Sequence, residues 1–202
     1  MSRHDDSPVH GLVVLAASAG GLEPIATILA ALPEGYPLPI AVILHRSPSV
    51  PSVLAAILRR RTRLTVRDVQ EGDALRAGTV YVAPPARHLV VNADRTLGTM
   101  DGARRRGVLS SANPLLESAA AALRGGVIAV VLSGSGMDAT DGVQSVKRHG
   151  GIVLVQDRES AAFFGMPGAA IATGVVDGIL PLEEIAPTLV RLAQSTIAGS
   201  PR

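Results

Sequence analysis

Short, wholly apolar runs alternate along the chain with stretches of helical spacing, and that alternation predicts the architecture. Gly11 to Ala17 is continuous and apolar, as expected of a strand buried on both faces of a parallel sheet. Ser18-Ala19-Gly20-Gly21 breaks the run, and Leu22 to Leu32 reads as a helix. Pro33 and Pro37 then punctuate the chain, and a second apolar run, Ile40 to Leu44, ends at His45. Ser49-Val50-Pro51 opens a further predicted helix, carried by Val53, Leu54, Ile57 and Leu58. Leu64 to Val69, Thr79 to Val82, His88 to Asn92 and Thr96 to Met100 are short β-like pieces between turn residues. Asn113-Pro114 has the form of a helix cap followed by a first-turn proline, and this helix should run to Arg124. Val127 to Leu132 reads as a strand, Val143 to His149 as a helix, Ile152 to Val155 as a strand and Glu183 to Ile197 as a last helix, fraying after Ala193.

The expected fold class is therefore α/β: a doubly wound, mostly parallel sheet with helices on both faces and an antiparallel hairpin excursion near residues 75–100. Residues 11–197 should form one domain behind a poorly ordered tail, residues 1–10. Neither a repeat nor a long linker divides the chain.

Composition narrows the function classes. The 202 residues are 47% apolar, enough for a sizeable core. Cysteine is absent, which excludes disulfide scaffolds, thiolate metal sites and cysteine nucleophiles. Nineteen Lys and Arg against seventeen Asp and Glu leave a net charge of +2, too balanced for a dedicated nucleic-acid surface. Two Tyr, two Phe and no Trp also argue against base-stacking platforms. The clusters Arg59-Arg60-Arg61 with Arg63, and Arg104-Arg105-Arg106, suit either an acidic partner or solvated helix ends. No apolar run approaches the ~18 residues of a membrane span, and the amino terminus is unlike a signal peptide. A cytoplasmic protein without membrane insertion is expected.

Three chemically capable side chains fall at the carboxyl ends of predicted strands, where ligands bind in open α/β sheets. Ser18 follows the first strand, with Gly20-Gly21 behind it letting backbone amides approach a ligand; it reads as a nucleophile, an anion cradle or a simple helix cap. His45 closes the second strand, as a base or as a satisfied core residue. Asp138 lies in the glycine-rich turn Leu132 to Gly142, as an orienting carboxylate or a cap. Together they meet the nucleophile, base and orienter logic of acyl transfer, although their order differs from that of α/β-hydrolases. The competing reading is a non-catalytic phosphate- or nucleotide-binding module built on the same glycine turns, but Walker and dinucleotide fingerprints are both missing.

These stretches resemble the catalytic domain of chemotaxis-receptor methylesterases of the CheB type. The resemblance rests on Ala17 to Gly21, His45, Val80 to Pro84 with Arg87-His88, the Leu132 to Gly142 turn, Val155-Gln156-Asp157, and Gly165 to Ala170 ending at Gly174. It spans about residues 11–190, in family order. It implies hydrolysis of glutamate methyl esters on the cytoplasmic helices of methyl-accepting receptors, with methanol released, and also deamidation of receptor glutamines. Ser18 becomes the nucleophile, His45 the general base and Asp138 its orienter, with oxyanion donors in the backbone at Ser135 and Ala19. No cofactor or metal is implied. A small ester is a further substrate reading. Arg87, His88 and Met166 are candidate substrate contacts, Met166 together with Phe163-Phe164 as a cleft wall, unless these residues serve packing. Asp141 is a reserve orienter. Ala19, Leu44 and Ala139 depart from the family's usual Thr, Gln and Gly. The receiver domain common in the family is not expected here, which makes a separate receiver or regulator protein an expected partner.

Overall fold

The computed structural model describes residues 11–45, 53–85, 87–101 and 110–198. Seven parallel strands form the main sheet: β1 (Leu12–Ala17), β2 (Ile40–Leu44), β3 (Thr65–Asp68), β5 (Thr79–Val82), β8 (Val127–Val131), β9 (Ile152–Gln156) and β10 (Gly178–Leu180). Their order is β10-β9-β8-β1-β2-β5-β3. A separate three-stranded antiparallel sheet holds β4 (Asp73–Ala74), β6 (His88–Val91) and β7 (Thr96–Met100). The expected hairpin excursion is this small sheet.

Each central strand is buried on both faces because its alternate residues enter two different cores. Leu12, Val14 and Ala16 of β1 pack with α3 (Ala112–Leu123), α4 (Thr140–Arg148), α5 (Gly165–Ala172) and the small sheet. Val13, Leu15 and Ala17 face α1 (Leu22–Ala31), α2 (Leu54–Arg59) and α6 (Leu182–Ala198). On β2 the same alternation sends Ala41 and Ile43 to the first core and Ile40 and Val42 to the second. Fully burying one such aliphatic side chain is worth about 1.5–3 kcal/mol, so the doubly apolar runs fix the layer order.

Three elements escaped the sequence reading. Strands β4 and β10 are too short to show a period, and Gly165, Pro167 and Gly168 disguise the helix α5. The cap of α3 also moves. Asn113-Pro114 was the expected start, but Ser111 is the N-cap and its hydroxyl accepts from Asn113 N–H. Pro114 still falls in the first turn, where its missing N–H costs no intrahelical bond. Helix α6 continues past Ala193 to Ala198 instead of fraying there. The predicted helix opening at Ser49-Val50-Pro51 lies outside the described residues, as do Arg104, Arg105 and Arg106. Among the described residues no helix is long and apolar enough to cross a membrane.

Candidate active site

β1 leads to β2 on one side and the adjacent β8 leads to β9 on the other, so the crevice at the carboxyl ends of β1 and β8 is a topological switch point. Register brings Ser18 and His45 together there. Ala17 pairs with Leu44 in the parallel ladder, and His45 N–H continues it to Ala17 C=O at 3.1 Å. The next residues, Ser18 and His45, are therefore cross-strand neighbours, with strand axes about 4.8 Å apart. Parity gives both the same face: Ser18 continues the Leu12, Val14, Ala16 series, and His45 continues Ala41, Ile43. That is the face covered by α3 and α4.

Asp138 reaches the same point from the turn before α4. His45 Nε2 meets Asp138 Oδ2 at 2.7 Å. The carboxylate is 3% exposed, and three further donors satisfy it. Ser111 Oγ donates to Oδ1 at 2.5 Å, Ala112 N–H to Oδ2 at 2.7 Å and Asn113 Nδ2 to Oδ1 at 3.2 Å. Burial works to raise the Asp138 pKa, but the hydrogen bonds from His45, Ala112 N–H and Ser111, with the charge attraction of His45, hold it below the usual carboxylate value. Its position at the amino end of α3 adds a favourable helix-dipole field. An ionised carboxylate only accepts, so in the neutral imidazole the shared proton sits on Nε2 and the lone pair on Nδ1.

The nucleophile side is built differently. Ser18 is half-buried, and its hydroxyl makes no hydrogen bond with another described residue. Its backbone is held firmly, with Ser18 N–H donating to Ser133 C=O and Gly21 N–H to Ser18 C=O, both at 3.0 Å. Ser133 Oγ donates to Ala19 C=O at 2.9 Å and accepts from Phe163 N–H at 3.0 Å. The fully buried Gln156 in turn accepts from Ser133 N–H through Oε1 at 2.9 Å.

Gly134 has no substitute at its position. A Cβ there would stand 2.4 Å from Met166 Sδ and 3.0 Å from Ser18 Cβ. The turn is tied down by Gly134 N–H to Phe163 C=O at 2.9 Å and Met166 N–H to Gly134 C=O at 2.8 Å. Ser135, Gly136 and Met137 are then left exposed, and the Ser135 and Ala19 N–H groups donate to no described residue. Such free, fixed amides beside a serine can receive developing negative charge.

Structure thus gathers Ser18, His45, Asp138, Ser135 and Ala19 at one rim. The other sequence candidates separate. Arg87 is exposed, with Nε donating to Asp101 at 2.9 Å and Nη2 to Thr99 C=O at 3.2 Å. His88 and Met166 are 2% and 0% exposed, so a substrate arriving from solvent touches neither, contrary to the expectation that they contact it. His88 is buried at the start of β6, where its Nδ1 accepts from Ser111 N–H at 3.1 Å. Met166 lies beneath the Gly134 turn. Phe163 is the exposed member of its group, at 49%, and Met137 joins it at 54%, whereas Phe164 lies under the Arg158 guanidinium, 4.1 Å from ring centroid to Cζ.

Four residues that serve the site were missed: Ser111, Asn113, Ser133 and Gln156. Asn113 carried a legible signal, since it shares a helix stripe with Leu116, Ala120 and Leu123 and so is a polar group on the buried face. Gln156 ending an apolar strand was a second.

Comparison with known proteins agrees with this geometry. Residues 13–189 match the family model described as CheB methylesterase. The chain is 39% identical over 184 residues to the protein-glutamate methylesterase/protein-glutamine glutaminase of group 3 operon of Rhizobium meliloti, covering 91% of this chain and 52% of that protein. It is 40% identical over 185 residues to protein-glutamate methylesterase/protein-glutamine glutaminase 3 of Anaeromyxobacter dehalogenans, covering 91% and 54% respectively. The chain thus spans about half the length of these curated relatives. Its fold superposes on the crystal structure of the Thermotoga maritima CheB methylesterase catalytic domain with a TM-score of 0.87 at 33% identity, covering 90% of this chain and 98% of that one.

Proposed function

This chain belongs to the CheB methylesterase family, and from that premise we propose that it is a serine hydrolase that removes methyl groups from glutamate methyl esters on the cytoplasmic helices of methyl-accepting receptors. The observation that carries the reading is the buried 2.7 Å bond from His45 Nε2 to Asp138, made by an imidazole that is the cross-strand neighbour of Ser18. A serine hydroxyl is a poor nucleophile until a base removes its proton, a contribution of roughly 10²–10⁴-fold.

In the proposed reaction Ser18 Oγ attacks the ester carbonyl while His45 Nδ1 takes the hydroxyl proton. Asp138 stabilises the resulting imidazolium through Nε2. The backbone N–H groups of Ser135 and Ala19 receive the oxyanion, for which one donor is typically worth about 10²–10³-fold. The tetrahedral intermediate collapses by breaking the bond to the methoxy oxygen, which leaves as methanol with the proton from His45. Water, deprotonated by the same ring, then hydrolyses the acyl-serine to glutamate. Glutamine deamidation follows the same course with ammonia leaving. Arg87 is proposed to meet acidic groups on the receptor helix, and the exposed Met137 and Phe163 its apolar side. His88 and Met166 act only from beneath, through Ser111 and Gly134. Regulation through a separate receiver protein belongs to the same proposal.

The phosphate-binding alternative is disfavoured by charge. An ionised Asp138 at the rim repels a phosphate, and Ser18, Ala19 and Ser135 carry no positive charge to offset it.

The test is methanol release from a methylated receptor cytoplasmic fragment. Ser18→Ala and His45→Ala should lose on the order of 10⁴-fold or more in kcat while unfolding at temperatures close to that of the parent. Wild-type turnover in both variants would falsify the triad.

A further inference from the structure

Ser111 takes no part in the proposed proton transfer, yet it ties Asp138, Asn113 and His88 together behind the catalytic pair. It is fully buried. Its hydroxyl donates to Asp138 Oδ1 at 2.5 Å and accepts from Asn113 N–H at 3.2 Å. Its own N–H donates to His88 Nδ1 at 3.1 Å. The preceding Ser110 holds a left-handed backbone, φ 65°, which a non-glycine residue keeps only when its surroundings compel it. Here a bond from Ser110 Oγ to Pro84 C=O at 2.9 Å contributes to that hold. The segment is therefore bent at a cost in strain, and the bend aims the N–H of Ser111 at His88 and that of Ala112 at Asp138.

A carboxylate turns easily about its last torsion, whose energy profile is broad. For Asp138 to orient an imidazole, something must fix which oxygen faces it. We propose that Ser111 is a positioning residue for the reaction: its hydroxyl pins Oδ1 so that Oδ2 stays aimed at His45 Nε2, and His88 anchors Ser111 in turn. This builds on the serine-esterase reading. His88 Nδ1 accepts from Ser111 N–H and so carries no proton in this arrangement. A residue 2% exposed is thereby tied to catalysis through two hydrogen bonds and one carboxylate.

The experiment compares Ser111→Gly with the parent. Glycine is nearly as good a helix N-cap as serine, so α3 survives while the hydroxyl is lost. The expected result is a fall of about 10- to 100-fold in kcat with KM changed by less than about twofold, the pattern of an interaction that matters in the transition state. The Asp138 carboxyl, followed by carbon NMR, should titrate at higher pH than in the parent. Ser111→Thr should restore most of kcat. Ser111→Cys, similar in shape but a weak donor, repeats the comparison if the glycine variant does not fold. Ser118→Ala is the control, because that hydroxyl on the same helix bonds Pro114 C=O, Leu115 C=O and Val91 N–H and should leave kcat unchanged.

The proposal is overturned if the glycine or cysteine variant keeps the parental kcat and Asp138 titration, or loses activity only in proportion to its unfolded fraction. If the parent itself releases no methanol, the esterase reading falls, and the Asp138 titration alone still decides the role of Ser111.

Discussion

The two halves of the catalytic rim are finished to different degrees. On the side of α3 and α4, Asp138 is 3% exposed and both of its oxygens are occupied by donors from Ser111, Ala112, Asn113 and His45. At the nucleophile end of the rim, the Ser18 hydroxyl and the N–H groups of Ala19 and Ser135 have no partner among the described residues, although the backbone beneath them is tightly bonded. The difference follows from what each half must do. A buried charge left incompletely paired costs several kcal/mol, so the carboxylate must be satisfied within the protein. Groups proposed to meet substrate must instead stay open to solvent.

The comparison can be broken most severely at Asp138. Asp138→Asn should lower kcat by roughly 10⁴-fold, because an amide in that place can no longer enforce the imidazole tautomer that leaves Nδ1 free to accept. Single-turnover acylation with a methylated fragment measures it, and a loss below tenfold would mean that the orienting half is dispensable.

Gly134→Ala strikes the junction of the two halves. The added methyl would enter the space of Met166 Sδ and Ser18 Cβ. Overpacking of this kind costs about 1–3 kcal/mol, and displacing the nucleophile costs on the order of 10²-fold in rate. Urea midpoints and kcat measured together should both fall, since the same atoms are involved.

Acid separates the halves by stability. The Asp138 pKa is held below its ordinary value, so this group favours the folded state fully above the unfolded carboxyl value of about 3.9. That contribution fades as pH drops through the lower folded value. The difference in urea midpoint between the parent and Asp138→Asn should be constant from neutral pH down to about 5 and shrink below about 4. A difference unchanged in acid would contradict the lowered pKa.

The smallest effect belongs outside both halves. Arg87 pairs with Asp101 at the surface, where ion pairs contribute about 0–1 kcal/mol. Arg87→Ala should leave the melting temperature nearly unchanged and raise KM for a receptor fragment a few-fold, with kcat intact.

Much of this molecule was legible in its residues. The apolar runs at Gly11 to Ala17, Ile40 to Leu44 and Val127 to Leu132 announced strands buried on two sides, because a residue's burial on a strand depends on its immediate alternation. Ser18, His45 and Asp138 were visible as polar groups stationed where those runs stop. The network behind them was not. Ser111, just ahead of the Asn113-Pro114 signal, drew no reading, and His88 read as a candidate substrate contact, since neither shows in sequence which distant group it will face.

What the sequence determined by itself was most of the strands and helices, their layering, and which side chains stand at the strand ends, all properties set by neighbours a few positions apart. Only the tertiary structure decided that Ser18 and His45 share a face and a register, that Asp138 arrives beside His45 at the amino end of α3, and that His88 and Met166 lie out of reach of solvent. Those outcomes depend on strand order and on helix packing across 25 or more positions, as between Asn113 and Asp138. Local periodicity carries no information about pairings at that range.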